Sequence, residues 1–135
     1  MVTTLGEISR DSAELFGDKT ALIIEDKSFS YKEIDAMACR VANGLKASGV
    51  MPGDRVTLYS PNCWEWAVSY HAIAKVGAVM NPINVMLTAD EVKYVLEDNG
   101  AKVILGSTDK AESLLDLTAN SEFNEVVLFD ETVPT

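Results

Sequence analysis

The chain has 135 residues, of which 47% are hydrophobic and 24% are charged. A chain of this size and composition can bury a core, so we expect a single α/β domain over residues 1–135 and no extensive disorder. Its 21 acidic and 11 basic residues give a net charge of −10, which disfavours binding to nucleic acid and to anionic membranes. The sequence has no signal-peptide pattern and no apolar run long enough to span a bilayer, so we expect a cytoplasmic protein.

Helix signals recur along the chain. Three predicted helices begin with a hydroxyl residue followed three positions later by glutamate, and a fourth has the weaker asparagine form: Thr4/Glu7, Ser30/Glu33, Thr88/Glu91 and Asn62/Glu65. Glycines follow three of these helices at positions suited to a left-handed cap: Gly17, Gly49 and Gly100. Apolar residues repeat with helical spacing between these signals, and Leu114, Leu115 and Leu117 indicate a fifth helix.

Short runs rich in valine and isoleucine separate the helices and have the length of strands: residues 21–24, 55–59, 78–80, 102–105 and 126–129. A turn at residues 25–27 predicts a small hairpin with residues 28–30, and Gly53 and Gly77 lie where we expect the backbone to need positive φ. Strands that alternate with helices indicate crossover connections. The sequence therefore predicts an α/β fold with a mostly parallel sheet and helices on both faces.

Cys39 and Cys63 are the two cysteines, and His71 is the one histidine. A structural zinc site needs about four such ligands, so these residues do not predict one. We expect two buried free thiols and a partly buried structural histidine, although a lone histidine can also act as a general base. Trp64 and Trp66 could form a ligand wall, but helical spacing separates their faces and favours one in the core and one at the surface.

Acidic pairs occur at predicted turns and helix ends: Glu25/Asp26, Glu97/Asp98 and Asp130/Glu131. Solvated carboxylates are the favoured interpretation over metal binding. A flavodoxin-like receiver domain is also disfavoured, because Lys102 opens a strand instead of following one. Neither GxGxxG nor GxxxxGK[ST] is present, so no phosphate-binding loop is predicted. Residue patterns alone assign no catalytic, cofactor-binding or metal-binding residue and leave the substrate-binding residues unknown.

Four segments occur in a characteristic order: ALI followed by FSYKEI within residues 21–34, GVMPGDRV at 49–56, KVGAVMNP at 75–82, and LTADE at 87–91. Their order and spacing over residues 5–105 resemble the N-terminal part of the AMP-forming acyl-CoA synthetases, a family of adenylate-forming enzymes. The resemblance implies that the fold is part of that family's first large subdomain.

The resemblance also implies a parent enzyme that joins a carboxylic acid, fatty or aromatic, to coenzyme A. That parent would use ATP and Mg²⁺ to form an acyl-adenylate with release of pyrophosphate, and coenzyme A would then take the acyl group. In the family, a Ser/Thr/Gly-rich loop ending in Pro-Lys and a lysine of a mobile C-terminal domain handle the phosphate charge. Residues 1–135 contain neither, so the resemblance implies a catalytically incomplete N-terminal fragment that binds none of these cofactors by itself.

A stand-alone, non-catalytic binding or interaction module derived from the same fold is the alternative hypothesis. The resemblance further implies that additional elements of a longer protein would pack on this part. We therefore expect uncovered apolar surface and association into a homo-oligomer. The expected contact surfaces are the helix with Trp64, Trp66 and Tyr70, and the strand at 126–129.

Overall fold

The computed structural model describes residues 4–111 and 125–129. The α-helices in this part of the chain are α1 (Ile8–Phe16), α2 (Tyr31–Ala47), α3 (Trp64–Lys75), α4 (Ala89–Asn99) and the short α5 (Thr108–Ala111). The strands are β1 (Thr20–Ile24), β2 (Lys27–Ser30), β3 (Arg55–Tyr59), β4 (Val79–Pro82), β5 (Val103–Ser107) and β6 (Glu125–Phe129). The predicted helix at Leu114 to Leu117 and the pair Asp130/Glu131 lie outside the described residues.

Capping boxes start two of the long helices as predicted. The Ser30 hydroxyl accepts from the Glu33 backbone N–H at 3.1 Å, and the Glu33 carboxylate accepts from the Ser30 N–H at 2.8 Å. The same exchange joins Thr88 and Glu91 at the start of α4. Thr4 begins a 3₁₀ turn, Leu5–Glu7, which leads into α1. The predicted cap at Asn62 is wrong: Cys63 is the cap residue of α3, because the extended chain after β3 continues one residue further.

The main sheet has four parallel strands in the order β4-β3-β5-β6. Strands β1 and β2 form a separate antiparallel hairpin. This confirms the predicted α/β fold, a mostly parallel sheet with a small hairpin beside it. Strand β4 runs to Pro82, two residues beyond the predicted run. An edge strand tolerates proline at its end, where the missing N–H leaves no inner ladder position unpaired.

The two faces of the sheet pack against different helices. Val56 and Leu58 of β3 lie in one core cluster with side chains of α2 and α3. Tyr59 of β3 and Ile104 of β5 lie in a second cluster with Val92 and Leu96 of α4. Because side chains of a strand alternate between faces, β3 contributes to both clusters. The prediction of helices on both faces is therefore confirmed.

Both tryptophans of α3 are half-buried, so the prediction of one core and one surface tryptophan is wrong. Trp64 packs on Phe29 of the hairpin, with ring centroids 5.2 Å apart. Trp66 packs against the cluster under α2 and α3 and stacks on Tyr70, with centroids 6.1 Å apart. The hairpin covers a face of α3 that helical spacing alone would leave open. This helix is consequently not the exposed apolar surface that the sequence indicated.

Large apolar side chains are exposed at other places in the described residues: Leu5, Leu15, Phe16, Ile23, Met51, Val79, Met86, Tyr94 and Val127. They are spread over the first helix, α4, the hairpin, the turns and the edge strands. Val127 of β6 is the member of this set that lies on the strand predicted to be a contact surface.

A hydrogen-bonded turn joins the amino ends of the parallel strands. Gly53 donates its N–H to the Gly77 carbonyl at 2.9 Å, and both glycines have positive φ, 87° and 75°. Next to them, Asp54 accepts from the Met51 N–H at 2.7 Å and from the Lys102 ammonium at 2.9 Å. The expectation of positive φ at both glycines is confirmed, and the turn links residues ahead of β3, β4 and β5.

Replacing either glycine by valine should destabilise the fold, because a β-branched side chain is strained at positive φ. We expect Gly53→Val and Gly77→Val each to lower the free energy of unfolding by about 1 kcal/mol or more. Gly77→Val should cost more, since a Cβ there would lie 3.3 Å from the Pro52 Cβ, whereas no atom lies within 4 Å at Gly53. Urea denaturation measures the change.

Gly44→Ala is the matched control for both variants. Gly44 lies inside α2 with ordinary helical φ and open space around it, so alanine should raise stability by about 0.5–1 kcal/mol. Valine variants as stable as the parent would contradict the role given to this turn.

A partly buried ion pair ties the first three helices together. Lys75 of α3 and Asp35 of α2 lie 2.8 Å apart, with side chains 14% and 20% exposed. Ser9 of α1 donates its hydroxyl hydrogen to the same carboxylate at 2.8 Å. Burial on its own would raise the pKa of Asp35, but the hydrogen bonds from Lys75 and Ser9 outweigh it and lower the pKa below its ordinary value of 3.8.

Asp35→Asn should therefore lower the free energy of unfolding and make it depend less on pH in the acidic range. The lowered pKa means that the carboxylate stabilises the fold fully above the unfolded value of 3.8, and that this contribution is lost as pH falls through the folded value. We expect the variant to lose about 1–3 kcal/mol at pH 7 and to show a flatter decline of unfolding free energy below about pH 5.

Denaturant titrations from neutral to acid pH would measure both effects. Glu97→Gln is the control, since Lys93 and Glu97 form an exposed pair at 3.9 Å, and its loss should change stability by less than about 0.5 kcal/mol. Equal losses in the two variants would show that the Asp35 pair is no more than a surface contact.

Candidate functional site

The strand order predicts a ligand crevice at the carboxyl ends of β3 and β5. The connection through α3 carries the chain from β3 to one neighbouring strand, β4, and the connection through α4 carries it back past β3 to β5. Open parallel sheets bind ligands where successive connections diverge in this way. The register places Tyr59 beside Gly106, so the residues that follow them leave two neighbouring strands at the same edge of the sheet.

On the β3 side, Ser60 and Cys63 form a small polar pair. Ser60 is buried, and its hydroxyl donates to the Pro61 carbonyl at 2.9 Å and lies 3.4 Å from the Cys63 sulfur. Burial raises the pKa of the Cys63 thiol, although the contact with Ser60 lowers it in part. The thiol is therefore protonated at neutral pH, and this environment does not activate it as a nucleophile.

On the β5 side, the end of the strand places two hydroxyl groups next to each other. Ser107 is the last residue of β5, and its Oγ is buried without a hydrogen-bond partner among residues 4–111 and 125–129. Thr108 opens α5 and donates its hydroxyl hydrogen to the Phe129 carbonyl at 2.8 Å, which joins α5 to β6. Ser107 thus brings an unused hydrogen-bonding group to this side of the crevice.

Tyr59 is the buried last residue of β3, next to this crevice, and it stays uncharged. Its hydroxyl donates to the Leu87 carbonyl at 3.3 Å, and burial together with the nearby Asp109 carboxylate raises its pKa. Ser60, Ser107 and Tyr59 are neutral and Asp109 is negative, so these groups do not fit the phosphates of a nucleotide. Their chemistry suits a wall that positions a neutral part of a ligand.

Of the residues that the sequence singled out, Cys63 lies at this crevice, whereas the described acidic pairs and His71 do not. Glu25 and Asp26 lie exposed in the hairpin turn, where Glu25 has φ of 56°. Glu97 and Asp98 lie exposed near the end of α4. His71 is half-buried on α3 against α1 and α2, which confirms its predicted partial burial. The described part of the chain contains no group of three or more metal-ligating side chains.

Sequence reasoning missed the crevice residues Tyr59, Ser60, Ser107 and Thr108. Each of them ends or directly follows a buried apolar strand, and that position was a usable signal. The missing information was the strand order, which brings together two strand ends far apart in sequence.

Within the described residues, the helices are all too short or too polar to cross a membrane.

Comparison with known proteins agrees with this architecture. The profile of the AMP-binding enzyme family matches residues 9–134. The crotonobetaine/carnitine–CoA ligase of Citrobacter koseri is 34% identical over 131 residues, which cover 92% of this chain and 25% of that relative. The structure of a Mycobacterium tuberculosis fatty acyl CoA synthetase has a TM-score of 0.86 at 31% identity, over 94% of this chain and 26% of the other.

A more distant structure, coronafacic acid ligase from Pectobacterium brasiliense, has a TM-score of 0.89 at 23% identity, over 97% of this chain and 26% of the other. At that identity the likeness is one of fold. The fold defines an open α/β protein in which the chain connections run to opposite sides of β3. The chain belongs to the AMP-binding enzyme family, as the four sequence segments indicated. It spans about a quarter of the length of the CoA ligases it resembles.

The two cysteines should differ in reactivity. Cys39 is exposed on α2, so the expectation of two buried thiols is wrong. Ala38 belongs to the buried face of α2, and the next residue, Cys39, lies on the face exposed to solvent. Cys63 is half-buried and its thiol pKa is raised by burial. We expect iodoacetamide at pH 8 to modify Cys39 at least severalfold faster than Cys63.

Peptide mass spectrometry of the native and the denatured chain measures the two rates. Denaturation should remove most of the difference, and Cys39→Ser should leave a single slow site. A Cys63 that reacts as fast as Cys39 in the folded chain would contradict the crevice geometry.

Proposed function

We propose that this chain is the N-terminal part of an acid–CoA ligase. Such an enzyme activates a carboxylic acid with ATP to an acyl-adenylate, releases pyrophosphate, and transfers the acyl group to the thiol of coenzyme A with release of AMP. The observation that carries the proposal is the match of the AMP-binding enzyme family over residues 9–134. The names of two relatives support a carboxylic acid as substrate: one is a crotonobetaine/carnitine–CoA ligase and the other a fatty acyl CoA synthetase.

The role of this 135-residue part in the reaction would be structural. In adenylation the carboxylate attacks the α-phosphate of ATP and pyrophosphate leaves, so negative charge builds up on phosphate oxygens. Catalysis of such steps depends on cationic groups and on Mg²⁺. Tyr59, Ser60 and Ser107 are neutral, and Asp109 would repel phosphate. We therefore propose that ATP, Mg²⁺ and coenzyme A are bound by other parts of the enzyme, while this part builds one wall of the crevice.

The proposed protein acts in the cytoplasm on a fatty or aromatic acid, without nucleic acid as a partner. The net charge of −10 supports the exclusion of nucleic acid. Association of this chain into a homo-oligomer stays a prediction. The exposed side chain of Val127 on β6 supports it, and the half-buried tryptophans of α3 do not.

Pyrophosphate release tests the proposal. We expect the 135-residue chain, mixed with ATP, Mg²⁺, coenzyme A and a panel of fatty acids, aromatic acids and carnitine, to release no more than a protein-free blank. We expect the complete open reading frame of the gene to release pyrophosphate and AMP with at least one of these acids, and to form the matching CoA thioester.

Omitting the acid is the control for ATP hydrolysis alone. Turnover by the 135-residue chain would overturn the structural role given to it. A reading frame that stops after Thr135 would overturn the ligase assignment and favour a stand-alone binding module.

A further inference from the structure

Two asparagines of this chain are followed directly by glycine: Asn43 in α2 and Asn99 at the end of α4. The backbone nitrogen that follows an asparagine can attack the side-chain carbon Cγ and expel the amide nitrogen as ammonia. Glycine is the residue whose nitrogen is least hindered in this reaction, because it has no Cβ. The backbone and the carboxamide are held differently at the two pairs, so we expect the two pairs to react differently in the folded chain.

At the second pair, the nucleophile is the backbone nitrogen of Gly100. This residue is exposed and caps α4 in the left-handed region, with φ of 66° and ψ of 36°. Its N–H donates to the Leu96 carbonyl at 3.1 Å, which is the bond at the C-terminal end of the helix. Helix ends open more readily than helix interiors, so breaking this bond frees the nitrogen while the rest of α4 stays folded.

The Asn99 carboxamide is held beside the peptide group that contains this nitrogen. Its Oδ1 accepts a hydrogen bond from the Ala101 N–H at 2.7 Å, which turns the side chain toward the residues that follow the helix. The same N–H would stabilise the negative charge that Oδ1 gains when a nucleophile adds to Cγ. The leaving nitrogen, Nδ2, has no hydrogen-bond partner among the described residues, so its departure breaks no bond of that kind.

A cation contacts the carbonyl oxygen of the same peptide group. The Arg55 guanidinium donates from Nη1 to the Asn99 carbonyl oxygen at 3.0 Å. Positive charge on that oxygen favours the deprotonated form of the adjoining Gly100 nitrogen, which is the form that attacks. Arg55 therefore activates the nucleophile, and the Ala101 N–H activates the carbon that it attacks.

Asn43 lies in a different setting. It is an exposed residue inside α2, which continues to Ala47, and the Gly44 that follows it is part of the same helix. Freeing the Gly44 nitrogen requires the interior of a 17-residue helix to open, which is less frequent than opening of a helix end. The first pair is therefore an internal control for the second.

We propose that Asn99 deamidates spontaneously in the folded protein, with Arg55 and the Ala101 N–H as the activating groups. The Gly100 nitrogen gives up its proton through water and forms a bond to Asn99 Cγ. The bond from Cγ to Nδ2 then breaks, and this nitrogen leaves as ammonia after taking up the proton. Water opens the resulting cyclic imide at either carbonyl carbon, which gives aspartate or isoaspartate. The reaction consumes only water and does not depend on the ligase activity.

Both products would change the link between α4 and β5. Aspartate at position 99 adds a negative charge next to Asp98 at the C-terminal end of α4, where the helix dipole disfavours it. Isoaspartate passes the main chain through the side chain, which lengthens the backbone by one atom shortly before β5 begins at Val103. The modification would thus accumulate with the age of the protein and act on an inner strand of the sheet.

The two pairs fall in different tryptic peptides, residues 41–46 and 94–102, so one sample gives both rates. The 135-residue chain is incubated at pH 8, either folded or in guanidinium chloride, and mass spectrometry follows the deamidated fraction of each peptide. We expect Asn99 to deamidate at least about tenfold faster than Asn43 in the folded chain, because a helix end opens more readily. The two rates should become similar in denaturant. Isoaspartyl methyltransferase should label the aged 94–102 peptide.

Gly100→Asn tests the nucleophile. Asparagine also tolerates the left-handed region, and among the described residues no atom lies within 4 Å of a Cβ added at this position. The added side chain should slow deamidation of Asn99 at least about fivefold by hindering the nitrogen, and Asn43 should react as in the parent.

Arg55→Gln tests the activation, since it removes the positive charge from the Asn99 carbonyl. We expect Asn99 to react severalfold more slowly in this variant, whereas mere loosening of the helix end would make it react faster. An unchanged or faster reaction would overturn the proposal. A rate for Asn99 no higher than that of Asn43 in the folded parent would also overturn it, and that comparison needs no variant to fold.

Discussion

The double burial of β3 is the constraint on which the rest of the structure depends. Val56, Thr57 and Leu58 are fully buried, and both edges of the strand are paired, with β4 on one side and β5 on the other. Burying a valine or leucine side chain contributes about 1.5–3 kcal/mol, so a strand enclosed in this way anchors the helices on both faces. The buried Thr57 hydroxyl accepts a hydrogen bond from the Asn81 side chain at 3.4 Å, which satisfies the polar group inside the sheet.

Local signals made much of the fold predictable. The capping boxes at Ser30 and Thr88, the apolar strands and the hairpin depend on neighbours within a few residues, and the sequence contains those neighbours. The misplaced cap at Asn62 and the tryptophan assignments depend on tertiary contacts: an extended residue after β3, and a hairpin folded over α3. Helical spacing describes the faces of one helix but does not say which other element covers them.

The candidate crevice could not be predicted from helical and strand spacing, because it too depends on tertiary contacts. Ser60 and Ser107 follow different strands, and their proximity results from the order β4-β3-β5-β6, which is set by the packing of whole crossovers. The resemblance to the acyl-CoA synthetases supplied family membership where residue physics supplied only a fold class. The resemblance and the residue-level analysis agree on one point: this part of the enzyme has few groups that could stabilise phosphate charge and many that build a scaffold.

The pairing of β3 with two partners also implies an order of events during synthesis. Strand β4 follows β3 after one helix, so the unit β3-α3-β4 can form once residue 82 has left the ribosome and before β5 is synthesised. Strand β5 must wait for a second helix, and until then the other edge of β3 has free N–H and C=O groups. The nascent chain therefore passes through a stage in which a strand that ends up fully buried is open along one side, and the speed at which α4 and β5 emerge sets how long that strand can pair with another chain.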